Sequence, residues 1–229
     1  MKVAIVSQNN FSLIKKIESA GIKIVKENPD IVISIGGDGT ILLSERLYPS
    51  IPKLAIKTSS TCRKCQYTPS QIKNVLELIK KGKYKIEEEN KIEVRFKNYK
   101  LLALNEIQLH NKKPTVAIRF SVEADGFRQE NVIGDGLIVS TPFGSTGYYM
   151  SITGKKFKKG LGLAFNNPHN IKIKGIVLDE NAKIKVKLLR EEAWLIRDND
   201  DNFLNLEKGD KFKVVKSKEK ARFIKIKFY

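Results

Sequence analysis

The chain has 229 residues, which is enough for one large domain or two of modest size. Lysine and arginine exceed aspartate and glutamate by 43 to 25, which gives a net charge of +18. Such a charge is typical of proteins with polyanionic partners, such as nucleotides, polyphosphate or nucleic acid, and equally of proteins with lysine-rich, heat-adapted surfaces. Because no apolar run is long enough to span a bilayer and the first residues are too quickly polar for a signal peptide, we expect a soluble, cytoplasmic protein with no membrane partner.

The first part of the chain alternates apolar strands with amphipathic helices. Strands are predicted over residues 2–6 and over DIVISI, which ends before Gly36, and Phe11, Ile14 and Ile17 recur at helical spacing in the segment NNFSLIKKIESAG between them. A helix over 40–48, a strand over 53–57 and a helix over PSQIKNVLELIKKG continue the pattern. Strands that alternate with helices predict a parallel, Rossmann-like sheet.

From about residue 85 the pattern changes to alternating apolar and polar residues with turn residues between the runs. This alternation predicts consecutive strands, among them NVIGDGLIVST and the segments 171–177, 183–189, 212–215 and 222–228. We therefore expect an α/β domain over residues 1–85, followed by an all-β domain.

Both cysteines lie in the motif TCRKC, at Cys62 and Cys65. A single CxxC is compatible with a redox pair or with half of a metal site. The two histidines, His110 and His169, are isolated in sequence, so we expect unligated thiols and assign no metal ligand.

The segment SIGGDGT follows a predicted strand and opens a predicted helix, which is where open α/β sheets bind ligands. Gly36, Gly37 and Gly39 permit a tight turn, and a helix N-terminus favours a phosphate there. A purely local interpretation makes Asp38 a turn or capping residue. Three glycines around one acid favour a functional aspartate instead, because a cap needs no bare backbone beside it.

Two further features carry polar groups suited to a nucleotide. In GDGLIVSTPFGSTGYYMS, the hydroxyls and glycines allow a flat ligand to lie against the backbone, and Tyr148 and Tyr149 are either stacking residues or core aromatics. In LNEIQ, Asn105 and Glu106 form an amide and carboxylate pair within a predicted strand, which is a common pairing and a weak signal by itself.

Taken together and in this order, GGDGT, the Asn-Glu pair and DGLIVSTPFGSTGYYMS resemble the successive motifs of the NAD kinase family over nearly the whole chain. GGDGT alone is shared with lipid kinases and phosphofructokinases, whereas the third motif is specific. The resemblance implies an N-terminal α/β domain over 1–85, a β-rich NAD-binding domain over 86–207 and a C-terminal tail over 208–229 that returns to the first domain.

The same resemblance implies a role for each matching residue. Asp38 would be the catalytic base that takes the proton from the adenosine 2′-hydroxyl of NAD, with Gly39 at the diphosphate. Asn105 and Glu106 would bind the adenosine half of NAD. The remaining residues lining the dinucleotide site would be Asp135, Phe143, Thr146, Gly147, Tyr148 and Ser151.

On the phosphate-donor side the resemblance implies Gly36, Gly37, Gly39 and Thr40, with Mg²⁺ bridging the phosphates of ATP or polyphosphate. The loop AIKTSSTCRKC departs from the family pattern, and our hypothesis is that Arg63 and Lys64 replace basic residues missing elsewhere. We expect a homodimer or homotetramer and consider nucleic acid an unlikely partner. A lipid kinase of the diacylglycerol kinase type and a non-catalytic NAD-binding homologue are the alternatives.

Overall fold

The chain divides into two units in a computed structural model, which describes residues 1–7 and 10–228. The first unit comprises Met1–Glu89 and the segment from Lys220 onward, and the second comprises Asn90–Glu219. The sequence analysis put the corresponding boundaries after residues 85 and 207. Asn9 of the predicted helical segment and Tyr229 of the predicted tail lie outside the described residues. No helix in the described part of the chain has the length and apolar character needed to cross a membrane.

The first unit is an α/β layer structure. Its elements are β1 (Lys2–Ser7), α1 (Phe11–Ser19), β2 (Lys23–Ile24), β3 (Ile31–Gly36), α2 (Asp38–Leu47), β4 (Lys53–Lys57) and α3 (Ile72–Lys80), followed by the start of β5 (Lys85–Phe96). The sheet order is β2-β1-β3-β4, with every neighbouring pair parallel, as the strand-helix alternation predicts.

Both faces of this parallel sheet are covered by helices. On one face Ile33 packs with Ile17 of α1 and Val75 of α3, and on the other Val32 packs near Leu43 of α2. Burial on both faces explains why β3 reads as a continuous apolar run, since five of its six residues are buried. Phe11 does not join this core: it is 75% exposed, because Leu13 and Ile17 provide the buried face of α1. The helix predicted from this spacing is confirmed, but Phe11 is not part of its buried face.

A buried ion pair fixes α2 to the sheet. Lys53 of β4 is fully buried, and its ammonium contacts the Glu45 carboxylate of α2 and donates to the carbonyl of Tyr48 at 2.7 Å. The other Glu45 oxygen accepts the backbone N–H of Ser50 at 3.2 Å. This polar cluster connects the helix that begins at Asp38 to the neighbouring strand.

The second unit is largely β. Its elements are the end of β5, then β6 (Tyr99–Ala103), β7 (Glu106–Asn111), β8 (Ile118–Ala124), β9 (Phe127–Gly134), β10 (Gly136–Ser140), α4 (Tyr148–Thr153), β11 (Leu161–Asn166), β12 (Gly175–Leu178), β13 (Ile184–Arg190), β14 (Ala193–Arg197), β15 (Leu204–Leu206) and β16 (Lys211–Lys225).

Two sheets form this unit around a core that includes the stacked rings of Phe120 and Phe165. One is antiparallel with the order β12-β11-β10-β7-β14-β15, and the other contains β13, β8 and β9 together with the first part of β16. The last residues of β16 belong to the first unit, where Phe223 pairs in parallel with Lys53 of β4.

Four strand predictions for this part were wrong in detail. The segment NVIGDGLIVST is two strands, because the chain turns at Asp135 between β9 and β10. The strand predicted over 171–177 is confined to β12, and the two strands predicted over 212–215 and 222–228 are one long strand, β16, since the polar residues between them alternate in burial without a turn.

We expect Lys53→Met to destabilise the protein by about 3–5 kcal/mol, because the substitution leaves the Glu45 carboxylate buried without its cation. The free energy of unfolding in urea measures this loss. Lys23→Met, which removes an exposed lysine of β2 in the same unit, is the matched control. The double variant Lys53→Met/Glu45→Leu should recover most of the stability, and a single variant as stable as wild type would contradict the expectation.

Candidate active site

The GGDGT motif forms the junction between β3 and α2. Gly36 is the last residue of β3, Gly37 caps α2, and Asp38 is its first residue. A Cβ atom at Gly36 would overlap the side chain of Thr40, so the tight turn into the helix requires glycine. The capping residue has no side chain, and the Asp38 carboxylate accepts its hydrogen bonds from another segment of the chain.

That carboxylate is held by the loop after β4. The backbone N–H of Arg63 donates to both carboxylate oxygens at 3.1 Å, and the N–H of Lys64 donates to Oδ1 at 2.9 Å. The loop that departs most from the family pattern thus contacts the predicted catalytic residue through its backbone. The Arg63 side chain is exposed and that of Lys64 is half-buried. We call this group of residues, Gly36–Thr40 with 62–65, the Asp38 site.

The two cysteines of this loop form a disulfide, so the expectation of unligated thiols was wrong. Their Cα atoms lie 5.7 Å apart, which is within the distance that a disulfide bridges without moving the backbone. Cys62 Sγ lies 3.1 Å from Asp38 Oδ1, and Cys65 Sγ lies 3.5 Å from the carbonyl oxygen of Gly36. The bridge is therefore part of the Asp38 site.

In the second unit, Asn105 and Glu106 are positioned by a residue that the sequence analysis did not assign. Asp198 accepts the backbone N–H groups of Leu104 at 2.9 Å, Asn105 at 2.7 Å and Glu106 at 3.1 Å. Asp198 has a positive φ of 46°, a conformation that aspartate tolerates better than most residues, and its own N–H donates to the carbonyl of Glu106 at 2.9 Å. Glu106 begins β7, and Asn105 lies just before it.

The Glu106 carboxylate is buried, with 6% of the residue exposed, and its Oε2 has no hydrogen-bond partner in the described residues. Its Oε1 is 3.4 Å from the donating amide of Gln108. Gly147 leaves open the space beside it: a Cβ there would be 3.7 Å from Asn105 Nδ2 and 3.8 Å from Glu106 Oε2. The Glu106 acceptor and the Asn105 amide thus lie together beside Gly147, where the third motif has no side chain.

The rest of that motif surrounds the same place. The Tyr148 hydroxyl accepts from the Asn166 amide at 2.9 Å, and Asp135 Oδ2 accepts from the Asn167 amide at 3.3 Å. Ser151 Oγ donates to the carbonyl of Gly147 at 3.3 Å. We call this group, 105–106 with Asp135, 146–151 and Asn166, the Glu106 site.

Two aromatic residues of the motif are more deeply buried than Tyr148. Tyr149 belongs to a cluster with Ile138 and Ala164 and makes an edge contact with Phe157, so it is a core aromatic. Phe143 is only 8% exposed, at the start of the short turn Gly144–Thr146. Tyr148 is half-buried and is the tyrosine that faces the charged groups.

Burial dominates the electrostatics of the Glu106 site. It raises the pKa of Glu106 to about 8, and the nearby charge of Asp198 adds to the shift. Burial also raises the pKa of Asp198 to about 6, against the effect of its three backbone donors. The pKa of Tyr148 is raised by burial and by the charges of Asp135 and Glu106. As the pH falls, Glu106 takes up its proton before Asp198 does.

The structure thus brings the predicted residues together in two groups, one in each unit. Asp38 joins Gly36, Gly37, Gly39, Thr40, Arg63 and Lys64, whereas Asn105 and Glu106 join Asp135 and the third motif. Sequence reasoning missed Asp198 and Asn166. Asp198 lies in the acidic segment DNDDN, and this run of acids was the available signal.

Comparisons with known proteins identify the relatives of this chain. The ATP-NAD kinase C-terminal domain matches residues 104–226. An NAD kinase of Sulfurisphaera tokodaii is 35% identical over 175 residues, which are 75% of this chain and 68% of that protein. A bifunctional NADP phosphatase/NAD kinase of Methanococcus maripaludis is 31% identical over 205 residues, or 85% of this chain, but the chain spans only 36% of that relative's length.

A solved structure has the same fold. An NAD kinase from Archaeoglobus fulgidus in complex with ATP superimposes with a TM-score of 0.81 at 24% identity, covering 97% of this chain and 93% of that one.

We expect stability to fall as the pH rises from 6 to 8, because folded Glu106 retains a proton that the unfolded chain has already released. The pKa of this carboxyl is about 8 in the folded protein and near its ordinary value of 4.5 when unfolded, so the contribution of Glu106 to stability is fully present below 4.5 and is lost as the pH rises through 8. Asp198 contributes in the same direction below about 6.

Glu106→Gln should flatten the profile of free energy of unfolding between pH 6 and 8, removing a slope of up to about 1.4 kcal/mol per pH unit. Glu123→Gln, at an exposed glutamate of β8, should leave the slope unchanged. Parallel profiles for Glu106→Gln and wild type would show that Glu106 does not hold the proton.

Proposed function

The chain belongs to the NAD kinase family, and from that premise we propose that it phosphorylates the adenosine 2′-hydroxyl of NAD to give NADP, with ATP or inorganic polyphosphate as the phosphate donor. The enzyme class is a phosphotransferase with an alcohol group as acceptor. Family membership supports the reaction, and the arrangement of the two sites supports the assignment of residues.

The observation that carries the NAD assignment is the buried Glu106 carboxylate with an unpartnered oxygen. A buried acceptor without a partner costs free energy, and a ligand hydroxyl or amine that donates to it recovers that cost. The amide of Asn105 lies beside the same opening, so the site offers both an acceptor and a donor. A ribose diol and an adenine edge supply the complementary groups, whereas the apolar part of a lipid substrate does not.

Asp38 is proposed as the general base. A base must present an accepting carboxylate to the attacking hydroxyl, and phosphoryl transfer otherwise depends on positioning and charge neutralisation. The two backbone N–H groups of Arg63 and Lys64 fix the orientation of this carboxylate. Both donate to Oδ1, and Oδ2, which shares the Arg63 N–H, keeps a lone pair for the attacking hydroxyl. The N-terminus of α2 adds a favourable field for phosphate oxygens at the same turn.

Mg²⁺ fits this site as an ion carried largely by the donor phosphates. Among the described residues, the group of three or more ligating side chains that converges is Asp38 with the two cysteines, and it holds a single carboxylate. A hard cation that prefers oxygen would therefore take its ligands from the donor phosphates and water, which leaves the Asp38 carboxylate free to act as the base. When bound, the ion neutralises charge on the donor phosphates.

A lipid kinase of the diacylglycerol kinase type is not favoured, because it leaves the third motif and the Glu106 site without a role. A non-catalytic NAD-binding homologue is not favoured either, since the GGDGT turn and Asp38 are intact. The cytoplasmic location, the homodimeric or homotetrameric assembly and the absence of a nucleic-acid partner are parts of the same proposal and remain predictions from the sequence.

Formation of NADP from NAD, with ATP or polyphosphate and Mg²⁺, tests the proposal directly. We expect Asp38→Asn to lower kcat by about 10²–10⁴-fold with little change in the affinity for NAD, because the amide cannot take the proton. Asp30→Asn is the matched control: Asp30 also accepts a backbone N–H, from Lys2 at 2.7 Å, but it precedes β3 rather than following it. Turnover of Asp38→Asn within a few-fold of wild type would refute the base assignment.

The double variant Arg63→Ala/Lys64→Ala tests whether these side chains bind the donor. Alanine retains both backbone N–H groups, so the hydrogen bonds to Asp38 persist and only the two charges are lost. We expect the KM for ATP or polyphosphate to rise at least about tenfold, with the KM for NAD nearly unchanged. Lys80→Ala/Lys81→Ala, on the end of α3 and beyond it, removes the same number of charges as a control. An unchanged donor KM would contradict the hypothesis.

A further inference from the structure

The Cys62–Cys65 pair has no part in the proposed transfer, yet it contacts the residue proposed to carry it out. Cys62 is 9% exposed, and its Sγ lies 3.1 Å from Asp38 Oδ1. A disulfide sulfur carries no hydrogen, so this contact is not a hydrogen bond. Cys62 Sγ and Asp38 Oδ1 therefore lie in contact without a proton between them.

The three side chains lie close enough to form a ligand set once the Cys62–Cys65 bond is broken and the two sulfurs move apart. One oxygen of Asp38 and the Sγ atoms of Cys62 and Cys65 all lie within 4.8 Å of one another. Zinc bonds thiolate sulfur at roughly 2.3 Å and carboxylate oxygen at roughly 2.1 Å in a tetrahedral arrangement, so neighbouring ligands of one ion lie roughly 3.5–4 Å apart. Two thiolates and one carboxylate leave a fourth position for water.

We propose that the reduced Cys62–Cys65 pair and Asp38 bind a zinc-class divalent cation. A dithiol reductant supplies two electrons and two protons, the Cys62–Cys65 bond breaks, and the reductant becomes a disulfide. Cation binding then displaces the two thiol protons to solvent, because the metal ligand is the thiolate. The oxidised pair cannot bind the ion in this way, since its sulfurs bear no negative charge.

The redox state of the cysteine pair then decides whether Asp38 can act as a base or is bound to the cation. This consequence rests on the proposed function of Asp38. With the disulfide closed, the carboxylate keeps only its contacts with the loop and can accept a proton. With the pair reduced and the cation bound, an Asp38 oxygen is a metal ligand and no longer serves as a base. The bound cation would therefore stop turnover, and a zinc-selective chelator would restore it.

Titration of the full chain with Co²⁺ and Zn²⁺ alone tests the site without any substrate. Protein reduced with excess dithiol, freed of the reductant under anaerobic conditions, should bind one cation per chain and show the thiolate-to-cobalt charge-transfer absorption. The same protein with its disulfide closed is the matched control and should show neither. Zinc should displace the cobalt signal, since zinc suits the tetrahedral sulfur-rich site.

Three variants assign the ligands. Cys62→Ser/Cys65→Ser should abolish the absorption, Asp38→Asn should weaken cobalt affinity at least about tenfold, and Asp30→Asn should bind as wild type does. Far-ultraviolet circular dichroism and the midpoint of thermal unfolding confirm that each variant is folded. If the reduced wild type binds no cation, or if reduced Asp38→Asn binds cobalt as tightly as the wild type does, the proposal is wrong.

The assay of NADP formation separates this proposal from the proposed function. A zinc-free protein with its disulfide closed that makes no NADP when Mg²⁺ and a phosphate donor are supplied refutes the function and leaves the titration as the test of the cation site. A protein that makes NADP at the same rate with one zinc bound to its reduced pair refutes the coupling to Asp38.

Discussion

The carboxylate of Asp198 is the interaction on which the Glu106 site depends. It accepts three consecutive backbone N–H groups and so fixes the direction of residues 104–106 as they enter β7. From the other side, the hydroxyl of Thr141 donates to the carbonyl of Leu104 at 2.6 Å and accepts the N–H of Gly144 at 3.0 Å. The Asn-Glu pair is therefore held between the DNDDN turn and the third motif. Neither side chain of the pair is needed to hold the backbone, so both are available to a ligand.

The two sites hold their acidic groups in opposite ways. The Glu106 carboxylate is buried, which raises its pKa, and its Oε2 has no hydrogen-bond partner among the described residues. Asp38 is less buried and is surrounded by donors from a loop. Burial of Glu106 suits ligand recognition, because a hydrogen bond to the ligand is strongest where water is excluded. Partial exposure of Asp38 suits a base, because a base must exchange a proton with its surroundings.

Sequence reasoning recovered the layout of the first unit because two signals agreed there. Apolar runs such as IVISIG have the length of buried parallel strands, and the glycines of GGDGT mark where β3 ends. The sequence pattern did not show that Phe11 is exposed. A short helix has more apolar residues than buried positions, and packing decides which of them enter the core. The role of Asp198 was missed because its hydrogen-bond partners are distant from it in sequence. The disulfide was missed because the spacing of a single CxxC leaves the state of the two thiols open.

The buried contact between Lys53 and Glu45 restricts the positions that α2 can take along β4. An apolar interface tolerates small sliding movements, because one set of methyl contacts replaces another at little cost. A helix that shifted by one turn here would carry Glu45 away from the Lys53 ammonium and leave two charges buried apart. The first residue of the same helix is Asp38. The ion pair therefore fixes the position of α2 along β4, because any shift along the strand separates the two charges.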